Sequence, residues 1–364
     1  MTRPFVVDIH THVYPPSYMT MLRARKTVPY IHDPEDNGTP RLIILSSDDD
    51  PAIPIDQRGR PVDSSYSDIN VKLDFMQNHG INCSVISLAN PWLDFLSPEE
   101  AQTWAIRIND DLNATCVDIN QAADPDNTLP LREKRTLFAF GALPLSAPTP
   151  DIIVEEIHRL SSLSHIRGSG EHWKSHNNSY SFTRTTVFPM KHLGGSETTA
   201  RYGHVLPLAL GFPLETTIAV TRMLLSKVFD RFPRLRILLA HSGGAIPFLA
   251  GRIESCIAHE RKFKENGGDV PGPQRSIWEV LRTNIYLDAV VYGKAGLQAA
   301  ISAGSTDRLL FGTDHPFFPP LGGEDAKWLS VTTNYTAINE VFKEDQTSVA
   351  AILGENAVRI LDLN

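Results

Sequence analysis

From end to end the chain alternates short apolar runs with helical patterns, and it closes several of those runs with a chemically active side chain. "FVVDIHTH" (residues 5–12), "CSVISLAN" ending at Asn90, "TLFAFGALPL", "LRILLAHSGG", "NIYLDAVVY" and "RLLFGTDHP" read as strands. Between them lie helices. Ser67 to His79 carries the stripe Ile69, Leu73, Met76, and a second helix opens with a capping box from Ser97 to Glu100, with Pro98 at its first position. Thr149 to Leu163, "ETTIAVTRMLLSKVF", "AIPFLAGRIESCIAHERKF" and "GKAGLQAAISAG" supply the rest. Strand following helix throughout one chain predicts a parallel sheet. The polar residues His10, His12, Asn90, His241 and Asp314 all fall at the C-terminal ends of strands. In a (β/α)8 barrel that face carries the active site. No glycine-rich phosphate loop follows the first strand, which weighs against a dinucleotide fold. The expectation is an α/β protein, a (β/α)8 barrel spanning residues 1–364 as one domain.

Bulk properties narrow the partners. A net charge of -8 disfavours nucleic acid and anionic membrane, and an apolar content of 41% supports a sizeable core. Cys83, Cys116 and Cys256 are isolated and odd in number, so no disulfide framework is expected. The opening "MTRPFVVDIHTH" does not read as a signal peptide, and no run reads as long enough to cross a bilayer. A cytoplasmic location follows from these signs.

Two regions interrupt the rhythm. Residues 20–64, including "RLIILSSDDDPAIPIDQRGRPV", form a long insertion after the first strand, expected as a hairpin or flap over the mouth. From Gly168 to Ala200 only 8 of 33 residues are apolar, too few for buried barrel strands, which should be near-continuous apolar runs.

The first strand holds the strongest chemical signal. Alternate side chains of a strand share a face, so His10 and His12 are expected to point the same way, with Asp8. Two imidazoles side by side suggest a metal. Asp314 closes another strand, where an unpaired carboxylate is costly to desolvate and a divalent cation removes that cost. Zn²⁺ accepts mixed His and Asp ligands. His241 is open to three roles: a further ligand, a proton donor, or a hydrogen-bonding partner to a metal-held oxygen. The Ser-Gly-Gly after it permits a tight turn into the next helix.

"DIHTH", "AHSGG" and "FGTDHP", in that order, resemble the amidohydrolase superfamily, in its branch of nonoxidative decarboxylases that includes aminocarboxymuconate semialdehyde decarboxylase. "YPPSY", "SVISLANPW", "ALPLSAP", "YGHVLPLALGFP", "PFLAGRIESCI", "IYLDAV" and "RLLFGTDHPFFPP" resemble the fungal uracil-5-carboxylate (isoorotate) decarboxylases over most of the chain. The resemblance implies a metal-dependent decarboxylase, with one Zn²⁺ per chain held by His10, His12 and Asp314. It implies that Arg60 and Asn90 hold the substrate ring and carboxylate and that Phe317 packs on the ring. Arg252 would reach across a subunit interface of a homo-oligomer, a dimer or tetramer, and His241 or Asp314 would protonate. The substrate would be a small carboxylic acid, with uracil-5-carboxylate first. Hydroxybenzoate decarboxylation, metal-dependent hydrolysis and an inactive chain are the rivals. A two-metal hydrolytic site bridged by a carboxylated lysine is disfavoured, because no lysine closes an apolar strand in the middle third.

Members of that branch place another metal histidine in an "HP" context after the fifth strand, and this chain has none there. Either a divergent loop supplies His192, His172 or His176, with His192 first, or the chain is the product of a frame-shifted or mis-spliced gene. The abrupt change at both ends favours the second. Its consequence is a barrel lacking part of its fourth and fifth strands and a metal site short of one ligand.

Overall fold

The computed structural model describes residues 4–36, 38–169, 179–182 as backbone, 201–264, 273–320, 322, 327–343 and 345–363. Eight of its strands are parallel. β1 (Val7–Val13), β5 (Cys83–Leu88), β6 (Thr136–Gly141) and β7 (Ile166–Ser169) form one run in the order β1-β5-β6-β7. β8 (Ser179–Phe182), β9 (Arg236–Leu239), β10 (Ile285–Asp288) and β11 (Leu309–Leu310) form the other, in the order β11-β10-β9-β8. The runs meet where the first and last strands end. A parallel bridge joins Thr11 to His315. The Ile9 amide donates to Phe311 O at 3.0 Å, that of His12 to His315 O at 2.7 Å, and that of Asp314 to His10 O at 2.7 Å. Among the described residues no ladder joins β7 to β8. This is the parallel (β/α)8 arrangement that the alternation predicts.

The strands form where the sequence is apolar on both faces. All of β6, "TLFAFG", is buried, as a parallel strand covered by helices requires. The helix Pro98–Ala123 begins as expected: the Glu100 amide donates to Ser97 Oγ at 3.3 Å, and the Ser97 amide donates to Glu100 Oε2 at 3.1 Å. It buries Ala101, Ala105, Ile108, Leu112 and Cys116 against the sheet. The helix Ile69–His79 differs from its predicted stripe. Its buried face is Lys72, Phe75 and Met76, while Ile69 and Leu73 are only half-buried.

Three expectations are corrected. The 168–200 stretch does contain a barrel strand: β8 pairs in register with β9, Ser179 with Arg236 through Phe182 with Leu239. A ladder is made by main-chain groups, so a short strand forms even in an apolar-poor stretch. β1 shifts register between Asp8 and Thr11, the mark of a β-bulge. The bulge resets the alternation, so Asp8 does not join the two histidines. It binds Thr313 instead, accepting from Thr313 N at 3.0 Å and Thr313 Oγ1 at 2.7 Å. Finally, the helical stretch Pro207–Leu225 is long and apolar enough to cross a membrane by length and composition, with a mean hydropathy of 1.3. Glu215 and Arg222 within it conceal that run in a linear reading.

The insertion after β1 is a three-stranded antiparallel sheet of β2 (Tyr30–His32), β3 (Arg41–Ile43) and β4 (Arg60–Pro61) in the order β2-β3-β4. Gly59 makes the turn into β4 at φ +60°, and a Cβ there would lie 2.2 Å from the Leu42 carbonyl oxygen. Only glycine fits that close approach, and it delivers the next residue, Arg60, to the cleft described below.

Candidate metal centre and active site

β1 and the turn after β11 bring His10, His12 and Asp314 together. Their ligand atoms all lie within 4.8 Å of one another, and all three residues are buried. Asp314 Oδ1 is 3.4 Å from His10 Nε2 and 3.5 Å from His12 Nε2. Asp314 reaches this position from a left-handed backbone conformation, φ +59°. Gly312, two residues before it, lets the strands close up, since a Cβ there would meet His10 Cβ at 2.6 Å.

The far nitrogens are engaged. His10 Nδ1 donates to Asp288 Oδ2 at 2.6 Å, and His12 Nδ1 donates to Ser87 Oγ at 3.0 Å while that hydroxyl donates to Thr11 O. Both Nε2 atoms therefore face Asp314. The donor set fits a divalent cation: bonds of about 2.0–2.1 Å in tetrahedral geometry separate the ligand atoms by about 3.4 Å, close to the spacing here. Carboxylate-to-histidine support of this kind fixes ring orientation in metal sites. Charge matches as well. Burial works against a charged His10, but the carboxylates of Asp288 and Asp314 override it and raise its pKa to about 10. Burial pushes His12 down to about 4, leaving a neutral imidazole. Burial opposes ionisation of Asp314 too, yet the hydrogen bonds of His10 and His12 hold it well below the usual carboxylate range. In the metal-free protein a proton between His10 and Asp314 supplies the positive charge that a cation would otherwise bring.

A narrow cleft opens beside this group. Tyr14, Arg60, Tyr66, Asn90, His204 and Phe317 line it. Phe317 connects cleft and metal group, its ring centroid 5.4 Å from that of His12. Burial lowers the pKa of Arg60, which forms no ion pair among the described residues and lines the cleft with aliphatic and aromatic side chains.

Comparison with known proteins agrees with this geometry. Residues 174–363 match the sequence profile of the amidohydrolase family. A solved structure, the apo form of IDCase from Metarhizium anisopliae, is 40% identical and superimposes with a TM-score of 0.84, covering 100% of this chain and 98% of that one. This chain belongs to the amidohydrolase family. The 2-amino-3-carboxymuconate-6-semialdehyde decarboxylase of Caenorhabditis elegans is 22% identical across 98% of this amidohydrolase and 94% of its own length. The gamma-resorcylate decarboxylase of Rhizobium radiobacter is 26% identical across 72% and 81% respectively. Within the family this amidohydrolase is an enzyme of the decarboxylase class. The profile match begins at residue 174, inside the stretch that sequence composition set apart as foreign.

Of the sequence-predicted residues, His10, His12 and Asp314 form the metal group, and Arg60, Asn90 and Phe317 line the cleft. His241 follows β9 with φ +50°, and its ring centroid is 4.9 Å from that of His10. Arg252 is exposed on the helix Ile246–Lys264. His192, His172 and His176 lie outside the described residues.

Three residues escaped the sequence reading. Asp288, at the end of β10, accepts from His10 Nδ1 and from the amides of His241 at 3.0 Å, Ser242 at 2.9 Å and Val290 at 3.1 Å, so it orients His10 and holds the His241 turn at once. Its strand-end position in "IYLDAV" was the available signal. Tyr292 donates its hydroxyl to Asp314 Oδ2 at 2.9 Å. Lys72, fully buried, donates to Thr11 Oγ1 and His315 Nδ1, each at 2.5 Å, and so grips the neighbours of three metal-group residues.

Proposed function

We propose that this amidohydrolase decarboxylates uracil-5-carboxylate to uracil and CO₂, using one Zn²⁺ per chain. The observation that carries this is the convergence of His10, His12 and Asp314 beside a cleft lined by the half-buried Arg60 and by Asn90. The full-length likeness to IDCase, taken as an isoorotate decarboxylase, supports the substrate.

In the reaction the bond from ring carbon to carboxylate breaks, its electron pair stays on the ring carbon, and a proton replaces the departing CO₂. Zn²⁺, when bound, supplies Lewis-acid stabilisation of negative charge on the substrate's oxygens. Arg60 binds the anionic acid through charge-assisted hydrogen bonds. The Asn90 carboxamide offers both a donor and an acceptor to the ring's amide edge. Phe317 covers the ring face between cleft and metal group. Asp314 and His241, both beside His10, are the candidate proton donors, and one of them delivers the proton to the carbon.

Release of CO₂ from uracil-5-carboxylate, dependent on added zinc, is the test. The likeness to gamma-resorcylate decarboxylase supports a second reading, decarboxylation of a dihydroxybenzoate. Faster turnover of 2,6-dihydroxybenzoate than of uracil-5-carboxylate would establish that reading instead. Turnover of neither acid, in protein that binds zinc, would refute both. His241→Asn and Asp314→Asn separate the proton donors, because loss of activity with zinc retained is expected only of the donor that is not a ligand.

We further propose that the active form is a homo-oligomer. Phe248 is 85% exposed, and Arg252 lies one turn along the same helix, also exposed. Leu210, Leu214, Ile218 and Leu225 add an exposed apolar series at helical spacing. Exposed apolar series of this kind mark an interaction face, and a second copy covering this helix would bring Arg252 into the interface.

A further inference from the structure

We infer that Tyr292 is a positioning residue for the metal centre, its hydroxyl holding Asp314 so that one carboxylate oxygen is kept for the cation. This rests on the metal reading proposed above. Asp314 Oδ2 accepts from Tyr292 Oη at 2.9 Å, while Oδ1 is the oxygen that faces His10 and His12. The terminal torsion of an aspartate is broad and nearly two-fold. Nothing intrinsic to Asp314 selects the plane in which its oxygens lie, and a donor on Oδ2 selects it.

The phenol is itself placed by neighbours on two elements. Tyr292 sits in the left-handed region, φ +53°, an outlier for an aromatic residue that persists only where the surroundings impose it. Its amide donates to Asn334 Oδ1 at 3.0 Å. Asn334 is fully buried in the helix Leu329–Phe342, and its own amide group reaches Gly312 O at 3.4 Å. One carboxamide therefore ties the Tyr292 turn to the residue two places before Asp314. On the other side the tyrosine ring meets Phe318 edge-on, centroids 5.6 Å apart, four residues after Asp314. The turn that carries Asp314 is thus braced before and after that residue by contacts that also fix Tyr292. Packing alone would be served by phenylalanine, and the hydroxyl is the atom that reaches the carboxylate.

The test titrates metal-free parent and Tyr292→Phe protein with Zn²⁺ against a chelator of known affinity, and melts both without metal. The variant is expected to bind zinc about 10- to 100-fold more weakly, the usual effect of losing an outer partner of a ligand, with a metal-free melting temperature lower by about 2–4 °C, the loss of one hydrogen bond to a charged acceptor. At saturating zinc, kcat is expected to fall while KM for the carboxylic acid holds. Phe318→Leu loosens the ring's neighbour and keeps the hydroxyl, and it is expected to retain the parental zinc affinity. Parental affinity in Tyr292→Phe overturns the inference. So does an equal loss in Phe318→Leu, or a fall in metal-free melting well beyond that of one hydrogen bond, since either assigns the effect to packing. A parent that binds no zinc refutes the metal reading itself, and this inference with it.

Discussion

Replacing Asp288 with asparagine tests how the site is oriented. The carboxylate takes four donors: Oδ1 accepts the amides of Ser242 and Val290, and Oδ2 accepts the amide of His241 and Nδ1–H of His10. An asparagine of the same shape has one oxygen. With that oxygen kept for Ser242 and Val290, its NH₂ faces the His241 amide and His10 Nδ1–H, donor against donor. His10 can relieve the clash only by moving its proton to Nε2, the atom aimed at Asp314, which removes it as a ligand. Two hydrogen bonds to a charged acceptor are lost, at about 1.5–3 kcal/mol each, and relief of burying a full charge offsets part of that. A net loss of about 2–4 kcal/mol in a chain of this length corresponds to a drop of about 3–5 °C in melting temperature. The zinc effect is expected to exceed tenfold, because orientation of the ligand is lost as well as stability. Calorimetry of metal-free protein measures the first quantity and chelator competition the second. Asp288→Asn protein that melts lower yet keeps parental zinc affinity would refute the reasoning, leaving Asp288 as an anchor of the fold alone.

Other consequences are as direct. Burial lowers the pKa of Lys72 from 10.5 to about 7, so between those values the unfolded chain binds more protons than the folded one. The cost of the buried ammonium is therefore full below pH 7 and fades as pH rises, and parental stability should climb across that window. Lys72→Met should flatten the climb in urea unfolding at pH 7 and pH 9.5, and an unchanged slope would assign it to other groups. Gly59→Ala forces a Cβ against the Leu42 carbonyl; it should displace Arg60 and raise KM about tenfold with kcat within about threefold, a loss of uniform binding. A parental KM would show that Arg60 does not touch the substrate. Phe248→Asp should yield single chains by light scattering and abolish turnover, whereas an active single chain would remove Arg252 from the neighbour's chemistry.

Most of the frame could be read from the chain itself because strand ends in parallel sheets are marked twice, by an apolar run and by the polar residue that closes it. His10, His12, Asn90, His241 and Asp314 were found that way. Where that double mark is missing, the reading faltered. Asp8 was grouped with the histidines because a bulge, which changes the face count by one, leaves no trace in an apolar pattern. Lys72 concealed the true buried face of its helix, since a lysine reads as solvated unless its partners, Thr11 and His315, are known to be near. Tyr292 acts from a turn whose backbone angle follows from Asn334, 42 residues away. β8 was missed because its pairing depends on main-chain groups, which every sequence has.

The bridge between Thr11 and His315 has a consequence for biosynthesis. Strands about 300 positions apart are sewn together by the very residues that flank His10, His12 and Asp314. A ribosome releases the amino-terminal half long before Asp314 exists, so His10 and His12 wait in an unfinished cylinder with no acidic counterpart. The site therefore waits for Asp314, and a product cut short before that residue would carry both imidazoles without the carboxylate.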